Sequence, residues 1–410
     1  MLTTDIRNDL LGLINQYGGS SQSGLSGAAS ADAQAPFQML LAQMLVRLLD
    51  RLEGNPATPT APANGQALTA GSANPVWIYP TESGPTAAST IAVKQAYGVA
   101  DTAPVIADPP AHALAFADYP RPPADNGRGM HWIPTVSQSP EVVDRFIQQL
   151  KEMHIKWVPF LNDGAAIGAN DYLVQQLKAN GMEPVMRVYT PGLSAISGDL
   201  GAMVRHYKAL GVSYFQLYNE PNHSVENDWQ YPDVNRYLDA WIPAAKTVIE
   251  NGGLPGFGAL SPGGEFKDTD FLSQAIDGLR ARGELGLLDK AWLVSHNYQG
   301  DRALNDQEGF SRFTVYADIL KQKLGRLLPI IGTEGGSFVT DSFSEAQRTA
   351  RVTEAYRYMT QREPYNFAYS YWVIANQAGG GHDPAWEWQA LIHPDGSSDL
   401  VNALKALEAA

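Results

Sequence analysis

Tyr218-Asn219-Glu220-Pro221-Asn222 and Gly332-Thr333-Glu334-Gly335-Gly336 are the stretches on which the fold turns. Each follows an apolar run with the character of a buried strand, Ser-Tyr-Phe-Gln-Leu at 213–217 and Leu-Pro-Ile-Ile at 328–331. Each run therefore delivers a glutamate to the C-terminal end of a strand. In a (β/α)8 barrel that end is the catalytic face, where side chains from different strands converge on one small site.

Outward from these two stretches the pattern is regular. Strand candidates lie at 129–133, 156–161, 183–189, 214–218, 256–260, 292–296, 329–332 and 367–373. Helical stretches separate them, such as 140–154, with Val143, Phe146, Ile147 and Leu150 on one face, and 233–251. Apolar strands alternating with amphipathic helices imply parallel βαβ units under a cover of helices. Eight such units over 127–410 predict an α/β fold, a closed (β/α)8 TIM barrel. A doubly wound open sheet would carry a glycine-rich phosphate loop after its first strand, where Trp132-Ile133-Pro134-Thr135 stands instead.

Residues 1–126 differ: they hold 13 of the 27 prolines and little charge. Residues 4–16 predict a short amphipathic helix, 18–35 a Gly/Ser/Ala linker, 37–52 a second helix with a broad apolar face, and 55–64 a Pro/Ala/Thr linker. The expected organisation is a linker-rich helical extension (1–74), an extended arm packing on the barrel (75–126) and the barrel (127–410). The apolar helix 37–52 needs a surface, through packing, self-association or envelope docking. Its setting resembles the leading region of some leaderless cell-wall or flagellar-associated proteins. That favours an extracellular or cell-envelope location and leaves a cytoplasmic one open.

Forty-three acidic against 29 basic residues, a net charge of −14, disfavour nucleic acid or an anionic membrane as partner. No early apolar run is long enough to span a bilayer. There are no cysteines, hence no disulfides or thiolate metal sites. His382, Asp383 and His393 do not fall in a metal-ligand spacing, and no Gly-x-Ser-x-Gly elbow is present. The expectation is a carbohydrate substrate, no metal and no cofactor. Two carboxylates flanking a sugar–sugar bond are the equipment of glycoside hydrolysis, one as proton donor and the other as nucleophile or base.

An Asn-Glu-Pro after strand four with a second glutamate after strand seven resembles the clan A type of retaining (β/α)8 glycosidases. Within that clan the chain is most similar to glycoside hydrolase family 39, whose acid/base motif often reads Asn-Glu-Pro-Asn, with cellulase-like family 5 close behind. The resemblance covers 128–410. It implies Glu220 as acid/base, Glu334 as nucleophile and Asn219 as the partner of the sugar 2-hydroxyl. It further implies Tyr298 and Arg187 as supports of the nucleophile, His296 as a support of the site, and Trp372 as the floor of the sugar subsite. His131 and His223 are second-line sugar contacts. Trp132, Trp229, Tyr231, Trp386 and Trp388 are loop aromatics that could stack on sugar rings.

Each of these residues has a plainer reading. A glutamate after a strand is commonly a loop charge or helix cap, a buried arginine needs a partner wherever it stands, and large aromatics often simply pack loops down. The rival readings are an envelope-remodelling glycosidase or transglycosidase, and a silent carbohydrate-binding barrel.

Overall fold

The structure is a computed structural model that describes residues 113–134, 138–228, 230–376, 387–394 and 396–408. The expected extension 1–74, with its helix 37–52, lies outside the described residues, as does the arm up to residue 112. Eight parallel strands close in the order of the chain: β1 (Arg128–Met130), β2 (Trp157–Asp163), β3 (Glu183–Tyr189), β4 (Tyr214–Leu217), β5 (Leu254–Leu260), β6 (Trp292–Tyr298), β7 (Ile330–Gly336) and β8 (Asn366–Tyr371). Each is followed by a helix: α1 (Pro140–Glu152), α2 (Asp171–Ala179), α3 (Leu200–Leu210), α4 (Val234–Glu250), α5 (Asp268–Ala281), α6 (Arg312–Leu324), α7 (Glu345–Met359) and α8 (Asp399–Lys405). This is the (β/α)8 barrel that the alternation predicts. No helix among the described residues is long and apolar enough to cross a membrane.

The helices form for local reasons and are held by burial. In α1, Pro140 opens the first turn, where its missing N–H costs nothing, and Val143, Phe146, Ile147 and Leu150 are buried. Each such side chain contributes about 1.5–3 kcal/mol when fully removed from water. Ser344 and Gln347 cap each other at the start of α7. Asp233 accepts from Asn235 N–H and Arg236 N–H at the start of α4.

The lower end of the barrel is an aromatic layer taken from alternate strands: Trp157 (β2), Tyr214 (β4), Trp292 (β6) and Phe367 (β8). Tyr214 meets Trp157 at 5.6 Å and Trp292 at 5.7 Å between ring centres, and Trp157 meets Phe367 at 6.2 Å. Four side chains per layer from every second strand is the way such barrels fill their interior. Residues 114–119 close this end from below. Leu114, Phe116 and Tyr119 join the same cluster, and Tyr119 Oη donates to the Ala291 carbonyl at 2.8 Å. Tyr119→Ala is expected to cost about 3–5 kcal/mol, as for other large buried aromatics. Urea unfolding reads this directly, and a change below about 0.5 kcal/mol would mean that the segment only rests on the barrel.

Candidate active site

The polypeptide leaves β4 under strain. Tyr218 and Glu220 both take positive φ, 62° and 32°, a region that non-glycine residues enter at a cost of about 1–3 kcal/mol each. The following loop is braced to hold them there. Asn222 donates to the carbonyls of Ser261 and Phe266 and accepts from Ser261 N–H, tying the loop after β4 to the loop after β5. Asn227 donates back to the carbonyls of Pro221 and His223. The second asparagine of the motif is thus a brace, and Glu220 ends 1% exposed.

On β7 the glycines follow from crowding. A Cβ on Gly332 would lie 2.5 Å from Asn297 Oδ1, and one on Gly335 would lie 2.5 Å from Tyr369 Cε2. Ser295 pairs with Gly332 while His296 pairs with Glu334, so Thr333 is an extra residue between two ladder positions. Such a bulge re-aims the side chain beside it. Glu334 is 1% exposed and has a donor on each oxygen: Arg187 Nη1 of β3 at 2.9 Å on Oε1 and Tyr298 Oη of β6 at 2.7 Å on Oε2.

Between the two glutamates stands His296. Its Nδ1 is 2.8 Å from Glu220 Oε1 and 3.7 Å from Glu334 Oε2. A carboxylate oxygen from each glutamate and the imidazole nitrogen all lie within 4.8 Å of one another. Burial alone would raise the Glu220 carboxyl, but the hydrogen bond from His296 and its charge, with His223 and Arg187 behind it, bring it below the usual value. Burial would lower His296, yet the charges of Glu334 and Glu220 and the bond to Glu220 lift it above the usual histidine value. Both shifts run in the direction that favours a carboxylate on Glu220 and an imidazolium on His296. The same trio of side chains could hold a small cation, but Arg187 and the imidazolium already supply its positive charge.

Around this centre the other expected residues fall into two groups. Asn219 is 7% exposed; its Nδ2 donates to Glu226 Oε1 at 2.9 Å, and its Oδ1 accepts from Gln216 Nε2 at 3.4 Å. Trp372 is buried, with its ring 4.2 Å from that of His131 and its Nε1 donating to Gln389 Oε1. His131 points Nδ1 at the Trp132 carbonyl, 2.7 Å away, and burial pulls it down to about 3. It is therefore neutral at any ordinary pH. Its Nε2 has no hydrogen-bond partner among the described residues. His223 is buried, with Nδ1 3.7 Å from Glu265 Oε2.

The loop aromatics divide by burial. Trp132 is 1% exposed and packs edge-on against Phe146 of α1. Trp388 is 38% exposed and meets Phe338 edge-on; Tyr231 is 67% exposed and stacks beside Phe266. Trp229 and Trp386 lie outside the described residues.

One residue of the site has no counterpart in the sequence reading. Glu226, in the short 3-10 helix Ser224–Asn227, is 2% exposed, and burial lifts its carboxyl to about 7. In sequence it is an ordinary loop charge, and nothing local marks it for burial.

No model of a protein family matches the chain, and no curated protein matches it. Among solved structures it is similar to a monomeric β-xylosidase from Caulobacter crescentus, with 16% identity, a TM-score of 0.48, and 70% of this chain and 68% of that one covered. It is similar to the family 39 glycoside hydrolase from Xanthomonas axonopodis pv. citri at 14% identity and a TM-score of 0.49, over 72% of this chain and 68% of that one. It is also similar to a family 128 (subgroup II) endo-β-1,3-glucanase from Pseudomonas viridiflava at 16% identity and a TM-score of 0.48, over 69% of this chain and 98% of that one.

Proposed function

We propose that the protein is a retaining glycoside hydrolase that cleaves β-glycosidic bonds of a polysaccharide or oligosaccharide by double displacement. The observation that carries this reading is the approach of one oxygen of Glu220 and one of Glu334 to within 4.8 Å, Glu334 with Arg187 and Tyr298 on its two oxygens and Glu220 hydrogen-bonded to the His296 imidazole. Retaining enzymes hold their carboxyl groups about 5–5.5 Å apart, whereas inverting ones leave room for a water at roughly 6.5–9.5 Å. In the first step Glu334, oriented by Arg187 and Tyr298, attacks the anomeric carbon while the Glu220 side delivers a proton to the departing oxygen. In the second, Glu220 takes a proton from water, which displaces Glu334 and returns the sugar with its original configuration.

The proton for the first step belongs to the Glu220–His296 pair. As Glu334 forms its bond to carbon it loses the negative charge that holds the proton on His296. The proton is then released toward Glu220 when the leaving group needs it. His296→Asn should lower kcat about 10- to 100-fold. It should also move the alkaline limb of the pH profile down, because the raised histidine no longer keeps the pair protonated above its usual value. An alkaline limb unchanged in that variant would rule out the shared proton.

The direct test is to incubate purified protein with β-glucans, xylan, mannans, bacterial exopolysaccharides and peptidoglycan and to read products by mass and anomeric configuration. Release of β-configured oligosaccharides by the wild type alone, and not by Glu220→Gln or Glu334→Gln, is the expected result. Binding without release from any polymer would favour the silent barrel. Transfer of sugar to an added acceptor in place of water would favour a remodelling transglycosidase.

A further inference from the structure

Glu226 is a third buried carboxyl at a site whose other two are already provided for. Arg187 is bonded to Glu334, and the imidazole of His296 is bonded to Glu220. Glu226 has no ion pair of its own among the described residues; its hydrogen bond is to the neutral amide of Asn219. It lies within the electrostatic reach of Arg187 on β3, of Glu220 after β4 and of Glu334 on β7, and only the first of these favours its charge. A buried carboxylate without a cation costs several kcal/mol, so such a group either keeps a proton or awaits a positive partner. Other buried atoms around the glutamate pair, among them Glu220 Oε2, His131 Nε2 and His296 Nε2, have no partner among the described residues, so polar groups are left there for a polar ligand.

The position of Glu226 says which part of that ligand it would meet. This inference rests on the reading under Proposed function and on the role that the resemblance implies for Asn219: Asn219 directly precedes Glu220 and, in that role, faces the 2-position of the sugar between Glu220 and Glu334, with Glu226 bonded to its amide. We propose that Glu226 determines specificity at that 2-position and selects a β-linked sugar bearing a free amine there, a 2-amino-2-deoxyhexose. The ammonium group supplies the cation that the carboxylate lacks and donates to it in a charge-assisted bond, stronger than one from a neutral hydroxyl. The net charge of −14 also draws a cationic polymer toward the protein.

The probes are chitosan oligosaccharides and cello-oligosaccharides of equal length, which differ only at the 2-position, together with the aryl β-glucosaminide and β-glucoside. The full chain and Glu226→Gln are assayed for hydrolysis across neutral pH, and binding is followed by calorimetry. Glutamine keeps the acceptor for Asn219 and removes only the charge, so a purely positioning role would survive it. The expected result is that the wild type prefers the amino sugar in both pairs. Glu226→Gln should lose about 10- to 100-fold of the ratio of kcat/KM on that sugar to kcat/KM on the neutral one, and fold with unchanged circular dichroism. Glu226→Asp should restore part of the preference.

Amine-dependent binding that Glu226→Gln abolishes, without hydrolysis of any probe, would uphold this inference and remove the glycosidase reading. Hydrolysis of both sugars at a ratio that Glu226→Gln leaves unchanged would overturn the inference and leave the glycosidase reading standing. Absence of binding to either sugar would also overturn it.

Discussion

Glu334→Gln should lose on the order of 10⁴- to 10⁶-fold in kcat, the range seen when a covalent nucleophile is removed. Glutamine fills nearly the same volume, but its amide is neutral and too weak a nucleophile to hold the anomeric carbon. The change also has a structural cost. Arg187 is 4% exposed and bonds Glu334 directly, so removing one partner of this buried pair is expected to destabilise by about 3–5 kcal/mol. Glu334→Asp separates the two effects. It keeps a negative charge near Arg187 but withdraws it by one methylene from the attacking position, so stability should recover in part while turnover stays low. A folded Glu334→Gln protein with wild-type turnover would remove Glu334 from the mechanism.

The second large effect is expected at Glu220. Glu220→Gln should lose about 10²- to 10⁴-fold on natural sugars, the usual contribution of a general acid. The loss should be much smaller on an aryl glycoside whose leaving group departs without a proton. With such a substrate the covalent intermediate still forms and then waits, because no base is left to activate water. Added azide, an anion that needs no base, should restore turnover and yield a glycosyl azide of retained configuration. Equal losses on good and poor leaving groups, with no azide product, would show that Glu220 is not the proton donor.

The fold was legible because it is written as a repeated contrast. Apolar runs such as 183–189 and 292–296 differ sharply from the half-polar helices between them; β3 falls on the first, and β6 covers the second and runs on to Tyr298. The shortest strand was read less well. The candidate 129–133 becomes Arg128–Met130, although His131 N–H still bonds the Tyr371 carbonyl of β8 and Trp132 N–H the Pro159 carbonyl of β2. Apolar periodicity marks burial there, not the point where the strand ends. The same ambiguity covers Trp132: an aromatic after a strand reads equally well as a platform or as wall, and its contact with Phe146 depends on where α1 crosses. The paired glutamates could be found because strand ends have a fixed place in a barrel. Glu226 could not. Its burial depends on the loop folding back through Asn227, a matter of three-dimensional contacts that Val225-Glu226-Asn227-Asp228 does not announce.

The closure of the barrel's lower end by residues 114–119 has a practical meaning for handling the protein. Leu114, whose N–H is bonded to the Asp289 carbonyl, and Tyr119 hold that segment at the opposite pole from Glu220 and Glu334. A tether fixed to the exposed Ala117 between them grips the barrel by its base, at the end away from the two glutamates.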